Sequence, residues 1–271
     1  MSIDAIIQAR MGSTRLPGKS AMLIDDKPLL WHVLNRVKQA RMIDDVILAL
    51  PMESDDNSML SEIARDLDIC SILVSGDPND LIHRHWATAQ SLGMHTIVRI
   101  PGDNPCVDPD EIDRIIIHYE TFPEPVGQWL TSNLDRNIQG NGYAGGLGAE
   151  VYDAWFMHWM HENLEDLELR EHPHKWAFNH HRVRTVRCPE AIQAPELDFS
   201  VNTQQDLNFI RDIYAHIPKN FRTKDILDYL GEKNGTSTRP QRSQQSKPAD
   251  SARNARHRHY DDAKKAGFGS W

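Results

Sequence analysis

Cysteine is scarce. Cys70, Cys106 and Cys188 are the only three in 271 residues; they lie far apart and form no CxxC pair. A cysteine metal knuckle is excluded, three thiols cannot all pair, and a reducing cytoplasm is the expected setting. Long apolar runs are also lacking: none approaches the roughly 18 residues of a membrane span. The first strand-like stretch starts at Ile3, so no signal peptide is expected. Positive charge is short where a fold is readable. The net charge is −9, yet nine Lys/Arg and three Asp/Glu fall between Lys233 and Trp271, leaving −15 on the first 232 residues. So acidic a body does not suit a nucleic-acid binder, and neither nucleic acid nor membrane is expected as a partner.

What is present is ordinary for a soluble protein, with 39% hydrophobic and 25% charged residues. Strand and helix patterns alternate over the first 120 residues. "IDAIIQA", "DVILAL", "CSILVS" and "HTIVRI" read as strands; "LLWHVLNRVKQA", "MLSEIARDL", "NDLIHRHWATAQSL" and "PDEIDRIIIHYE" read as helices. Asn79 or Asp80 caps the third helix, and Pro109 opens the fourth. Such alternation implies parallel crossovers and a doubly wound, mostly parallel α/β sheet. From about Thr121 the pattern loosens. "GGLGAEVY" ends in a strand, "YDAWFMHWMHENLEDL" and "REHPHKWAFNHH" are helical, and "RVRTVRC" is a strand. "ELDFSVNTQQDLNFIRDIYAHI" reads as a strand, a Thr203 cap and a helix, and "TKDILDYL" as a last short helix. Residues 233–271 are polar, basic and poor in aliphatics, which predicts a disordered tail.

Against the acidic body one stretch stands out. "QARMGSTRLPGK" puts Arg10, Arg15 and Lys19 in the loop after the first strand, with glycines that admit close backbone approach. In open α/β sheets ligands bind at the carboxyl ends of strands. Two guanidinium forks and one ammonium there suit a polyphosphate. The spacing is not GxxxxGK[ST]. The plain alternative is a solvated basic loop.

"ARMGSTRLPGK" resembles the A-R-x-x-S-T-R-L-P-G-K signature of the cytidylyltransferases that activate sugar acids, such as 3-deoxy-manno-octulosonate and acylneuraminate cytidylyltransferases. It looks most like their spore coat polysaccharide biosynthesis protein F branch. "DKPLLWHVLNRV", "SGDPNDLIHRHWATA", "RIPGDNPCVDPDEID", "GGLGAEVY", "REHPHKW" and "FSVNTQQDLNFI" resemble further segments of that branch, so the likeness runs from about residue 3 to about residue 230.

The resemblance implies the nucleotide-diphospho-sugar transferase fold, with a catalytic domain over 1–232. It also implies transfer of CMP from CTP to an acidic sugar, with release of pyrophosphate, for surface polysaccharide synthesis. It assigns Ala9, Arg10, Met11, Gly12, Ser13, Arg15 and Lys19 to the nucleotide, with Asp80 and Arg84 from the second segment. Asp103, at the end of "TIVRI", is implied as the ligand of magnesium (Mg2+). The family's second metal carboxylate falls on Asn202, which brings an amide oxygen and no charge; Asp198 is the nearest substitute, while Asp206 reads as a helix cap. Glu150, Arg170 and His172 are acceptor-side candidates. The middle segment, 121–190, is implied as the acceptor and homodimer region.

Two other readings stay open. Asn202 motivates a nucleotide-binding homologue with weakened turnover. A glycosyltransferase would carry an Asp-x-Asp motif, and "GDNP" has Pro at the second position after Asp103. The histidines from His158 to His181 lack zinc-ligand spacing.

Overall fold

The computed structural model describes residues 2–52, 57–121, 130–133, 140–180 and 182–234, all within the first of two compact units, Met1–Gln241. The early strands and helices form as their apolar patterns demand. They are β1 (Ile3–Gln8), α1 (Leu29–Val37), β4 (Asp45–Pro51), α2 (Asn57–Arg65), β5 (Cys70–Val74), α3 (Leu81–Leu92), β6 (Thr96–Pro101) and α4 (Pro109–Thr121). Between β1 and α1 lies a small hairpin, β2 (Leu23–Ile24) and β3 (Lys27–Pro28), too short to show as a period.

The later elements are β7 (Leu130–Ser132), β8 (Glu150–Asp153), α5 (Ala154–Asn163), α6 (Leu167–Glu171), α7 (Pro173–Asn179), β9 (Val183–Thr185), α8 (Gln204–His216) and α9 (Thr223–Asn234). Seven strands make one sheet in the order β5-β4-β1-β6-β8-β7-β9. β5, β4, β1 and β6 run parallel, β8 is antiparallel to β6 and β7, and β9 is parallel to β7. The mixed, mostly parallel sheet agrees with the alternation of patterns in the sequence.

Strand parity divides the core. Ile3, Ala5 and Ile7 of β1, Leu48 and Leu50 of β4, and Val98 and Ile100 of β6 face a layer containing α1, α2, α4, α8 and α9. Ile6, Ile47, Ala49 and Ile97 face the other layer, with α3, α5 and α7. Each fully buried Ile or Leu contributes about 1.5–3 kcal/mol of transfer free energy, so both faces hold the strands in register. β1 lies between β4 and β6, and the chain leaves it first toward β4 and β5 and later returns to β6. That reversal opens a crevice beyond the carboxyl ends of β1 and β6.

Three expectations change. "REHPHKWAFNHH" is not one helix: α6 ends at Glu171, His172 leaves helical geometry (φ −128°, ψ 69°), and α7 restarts at Pro173. Proline lacks the N–H an unbroken helix needs and is suited to a first turn. "LDFSVN" forms no strand of the sheet; its contact there is one isolated bridge, Gly145 to Asp198. The last helix continues past Leu230 to Asn234. Of the predicted tail, 235–271 lie outside the described residues, as do 122–129, 134–139 and 181 of the middle segment.

Candidate active site

The loop after β1 and the turn after β6 meet because their strands are in register, with Gln8 opposite Pro101. The next residue on β6's side is Gly102. A Cβ there would stand 2.2 Å from the Gln8 carbonyl oxygen, so only glycine lets the two ends come this close. Inside the loop, the amides of Ser13 and Gly18 both donate to the Met11 carbonyl at 2.9 Å, and Ser13 Oγ accepts from the Leu16 amide at 3.4 Å. Gly18 takes φ +74°, turning the chain into a short 3-10 helix, Lys19–Ala21. Ala9, Leu16 and Ser20 are buried, while Met11 and Ser13 are half-buried and Gly12 and Thr14 face outward. Buried Ala9 and Leu16 therefore anchor a loop whose cations are left half-buried (Arg10, Lys19) or exposed (Arg15).

Each cation holds an oxygen from a different part of the chain. Lys19 Nζ donates to Asp103 Oδ2 and to the Val201 carbonyl, both at 2.7 Å. Arg15 Nη2 donates to Asn202 Oδ1 at 2.7 Å. Arg10 donates to the Pro78 carbonyl at 3.2 Å and to Asn79 Oδ1, and its Nη2 lies 3.8 Å from Glu171 Oε1. The basic loop is therefore bound into the fold rather than merely solvated.

The 198–202 segment is brought here by the glycine run. Gly146 has φ +81°, and a Cβ on it would meet the Ser200 amide at 2.6 Å. Flanking hydrogen bonds join Gly145 to Leu197 and Phe199, and the Val201 amide donates to the Asp103 carbonyl at 2.9 Å. Asn202 Nδ2 donates to Ser200 Oγ at 3.0 Å, and Ser200 Oγ donates to Asp198 Oδ1 at 2.7 Å. Asp198 thus holds a local turn, accepting from the Ser200 amide at 2.9 Å and the Ser200 hydroxyl at 2.7 Å. Asp206 closes the capping box of α8 with Thr203, and also accepts from the Asn202 amide at 2.9 Å. Among the described residues no group of three or more His, Cys, Asp or Glu is arranged to hold a metal ion.

The family model described as Cytidylyltransferase matches residues 5–216. This chain belongs to the cytidylyltransferase family. It is 27% identical over 214 residues to spore coat polysaccharide biosynthesis protein SpsF of Bacillus subtilis, covering 77% of this chain and 85% of that one. It is 34% identical over 116 residues to 3-deoxy-manno-octulosonate cytidylyltransferase of Pelobacter propionicus, a match confined to 43% of this chain and 44% of that one. A solved cytidylyltransferase from Leptospira borgpetersenii overlays with a TM-score of 0.78 at 22% identity, covering 89% of this chain and 99% of that one. The fold is that of the nucleotide-diphospho-sugar transferases, and the protein is a nucleotidyltransferase.

The remaining candidates of this cytidylyltransferase separate by position. Asp80 caps α3, accepting from the His83 amide at 2.8 Å, and takes Arg170 Nε at 2.7 Å. Arg170 also donates to the carbonyls of His161 and Leu164 and meets His161 Nδ1 at 3.0 Å. The sequence places Arg170 among the acceptor-side candidates; in the structure four of its five guanidinium N–H groups have partners within the chain. Arg84 is buried behind the loop, donates to the Pro78 carbonyl, and is lowered to about 10 by burial and then by Arg10. His172 lies half-buried at the α6–α7 corner, and burial lowers its pKa. Glu150 is 1% exposed and sits opposite Arg99 across β6 and β8, accepting from its Nη1 at 2.5 Å.

Sequence reasoning missed Arg99 and Ser200. For Arg99 a signal existed: a charge inside the buried strand "TIVRI" demands a partner. For Ser200 there was none, since its place depends on the fold of the glycine run.

Proposed function

We propose that this cytidylyltransferase transfers CMP from CTP to a 2-keto-3-deoxy sugar acid or a related acidic sugar. The observation that carries the reading is the convergence of Lys19, Asp103 and the Val201 carbonyl, 2.7 Å apart, at the carboxyl ends of β1 and β6. A sugar hydroxyl oxygen bonds to the α-phosphorus, the bond from that phosphorus to the bridging oxygen breaks, and pyrophosphate leaves with the electron pair. The hydroxyl proton passes to solvent. Such transfers depend on positioning and charge stabilisation. Arg10, Arg15 and Lys19 hold the triphosphate and the departing pyrophosphate, and the exposed backbone near Gly12 and Ser13 adds donors.

The residues fit a divalent cation of the magnesium class: Asp103 and Asn202 Oδ1 are hard oxygen donors, and both lie against the loop cations. With one carboxylate present, phosphate oxygens and water complete the set. When bound, the ion would neutralise phosphate charge. The reading also places the enzyme in the cytoplasm, in surface polysaccharide synthesis, as a homodimer with a basic tail after its catalytic domain. Light scattering of the full chain tests the dimer.

The test of the reaction is incubation with CTP, magnesium and a panel of 2-keto-3-deoxy sugar acids while pyrophosphate is followed. Release with one acceptor is expected; CTP binding without release for any acceptor overturns the reading. The Arg15–Asn202 hydrogen bond supports one second reading, a nucleotide-holding homologue with weakened turnover. A large gain in activity on Asn202→Asp favours it, and robust turnover in the parent removes it.

A further inference from the structure

One hydrogen-bonded chain runs from the exposed side of the loop to the glycine run. Arg15 is exposed, and its Nη2 donates to Asn202 Oδ1 at 2.7 Å, across 187 positions of sequence. Asn202 Nδ2 donates to Ser200 Oγ at 3.0 Å, and Ser200 Oγ donates to Asp198 Oδ1 at 2.7 Å. Asn202 and Ser200 are both buried. The two ends fix the sense of every link. A guanidinium only donates and a carboxylate only accepts. Facing Asp198, the Ser200 hydroxyl gives its one proton there and turns a lone pair to Asn202. The amide must then point its NH2 at Ser200 and its oxygen at Arg15.

The inner end is firmly seated. Asp198 Oδ1 accepts a second hydrogen bond, from the Ser200 amide at 2.9 Å. A Cβ on Gly145 would stand 2.6 Å from that same oxygen, so the glycine run leaves space for the carboxylate as well as for the backbone at Ser200. The backbone of the middle link is held separately. The Asn202 amide donates to Asp206 Oδ2 at 2.9 Å, and Val201 is held by Asp103 and Lys19. What the chain adds beyond those contacts is the orientation of one side-chain amide. Turned round, that amide would set its NH2 against the guanidinium, donor to donor.

The partner chosen for Arg15 suits a cation that must stay available. An unheld arginine loses rotamer freedom when a ligand orders it. A neutral oxygen holds the side chain beforehand and leaves its charge whole, whereas a carboxylate would pair with the fork and compete with phosphate for it. We infer that Asp198 and Ser200 are positioning residues for Arg15, acting through the Asn202 amide to hold the guanidinium in place, still charged, for a phosphate. The inference rests on the proposed binding of a triphosphate by the loop. In the alternative, the same bonds only shape the turn before α8.

The full chain is titrated with CTP in magnesium by calorimetry, and melting temperature is followed in parallel. Ser200→Ala cuts the chain and is expected to weaken CTP binding about 3- to 10-fold. In the Arg15→Met background the same substitution is expected to change the Kd for CTP by less than about twofold, because the side chain it positions is gone. Asp198→Ala is the second variant. It lets the Ser200 hydroxyl donate to the Asn202 amide instead, which favours the reversed amide. It should also weaken CTP binding, and again only where Arg15 is present. Whichever of the two melts close to the parent carries the test; if both lose the fold, the chain is structural and the inference falls. An equal penalty with and without Arg15, or no penalty, overturns the inference while CTP binding stands. The expected pattern in CTP binding, without pyrophosphate release for any sugar acid, upholds the inference and removes the reaction. No CTP binding by the parent overturns both.

Discussion

Lys19 Nζ stands midway between two ligands of different origin: Asp103 Oδ2 and the Val201 carbonyl, each at 2.7 Å. One ammonium therefore joins the first loop, the end of β6 and the segment before α8. Lys19→Ala is expected to lower kcat/KM for CTP by about 10²–10³-fold. Pyrophosphate release measures the loss. A melting temperature close to the parent's shows that the effect lies in the site.

The cation is expected to arrive with the nucleotide. Asp103 already has an ammonium partner, and Asn202 adds no charge. Calorimetry should show negligible magnesium uptake by the free protein and clear uptake once CTP is present. Asn202→Asp should raise cation affinity about tenfold or more in the CTP complex, through the added carboxylate.

Arg170 and Asp80 form a strut, with side chains 12% and 17% exposed. Asp80→Ala removes both the cap of α3 and the partner of Arg170, at a cost of about 2–4 kcal/mol of stability. Urea unfolding measures it. Arg170→Met is expected to lower stability and to raise the acceptor KM no more than the CTP KM; a selective rise for the acceptor would return Arg170 to the substrate.

Gly102→Ala should destabilise by about 2–3 kcal/mol, because the Gln8 carbonyl cannot retreat without breaking the β1–β6 register. The same variant should lose activity beyond what its lower stability explains, since it forces apart the two strand ends that carry the loop and Asp103.

Stability should fall as pH drops from about 6.5 to about 4. Burial first of all lowers His174 to about 4, with Arg99, His172 and Lys175 acting the same way against Glu150. The unfolded chain, with an ordinary imidazole near 6.5, takes up a proton in that window that the folded chain refuses, so folding is favoured as pH rises through it. Buried His85 and His32 are lowered too and add to the slope. His174→Leu should flatten the curve of unfolding free energy against pH by an amount on the order of 2–3 kcal/mol at its acid end. An unchanged slope would place His174 in contact with solvent.

The parallel half of the sheet was legible because β1, β4 and β6 are buried on both faces and its helices are amphipathic, so the hydrophobic pattern marks them. The loop cations were legible because three cations together are uncommon in so acidic a body, whereas Asp103 was marked by the family resemblance. β7, β2 and β3 are two or three residues long and leave no period to read. The break at His172 was written in the sequence, in Pro173, and was outweighed by the helical residues on both sides. The pairing of Arg170 with Asp80 was not legible, because the two lie ninety residues apart and only the packing of α6 on α3 joins them.

Each of the three loop cations has hydrogen-bond partners within the chain: Arg10 at Pro78 and Asn79, Lys19 at Asp103 and Val201, and Arg15 at Asn202. Loading a triphosphate is therefore an exchange of partners, and its net strength is a difference between two sets of contacts. A ligand with a single phosphate can take over one cation and leaves the other two holding the protein's own oxygens. Under the proposed function, only a chain of phosphates long enough to reach all three would displace the whole set, so the internal tethers would act as a length filter favouring CTP over CMP.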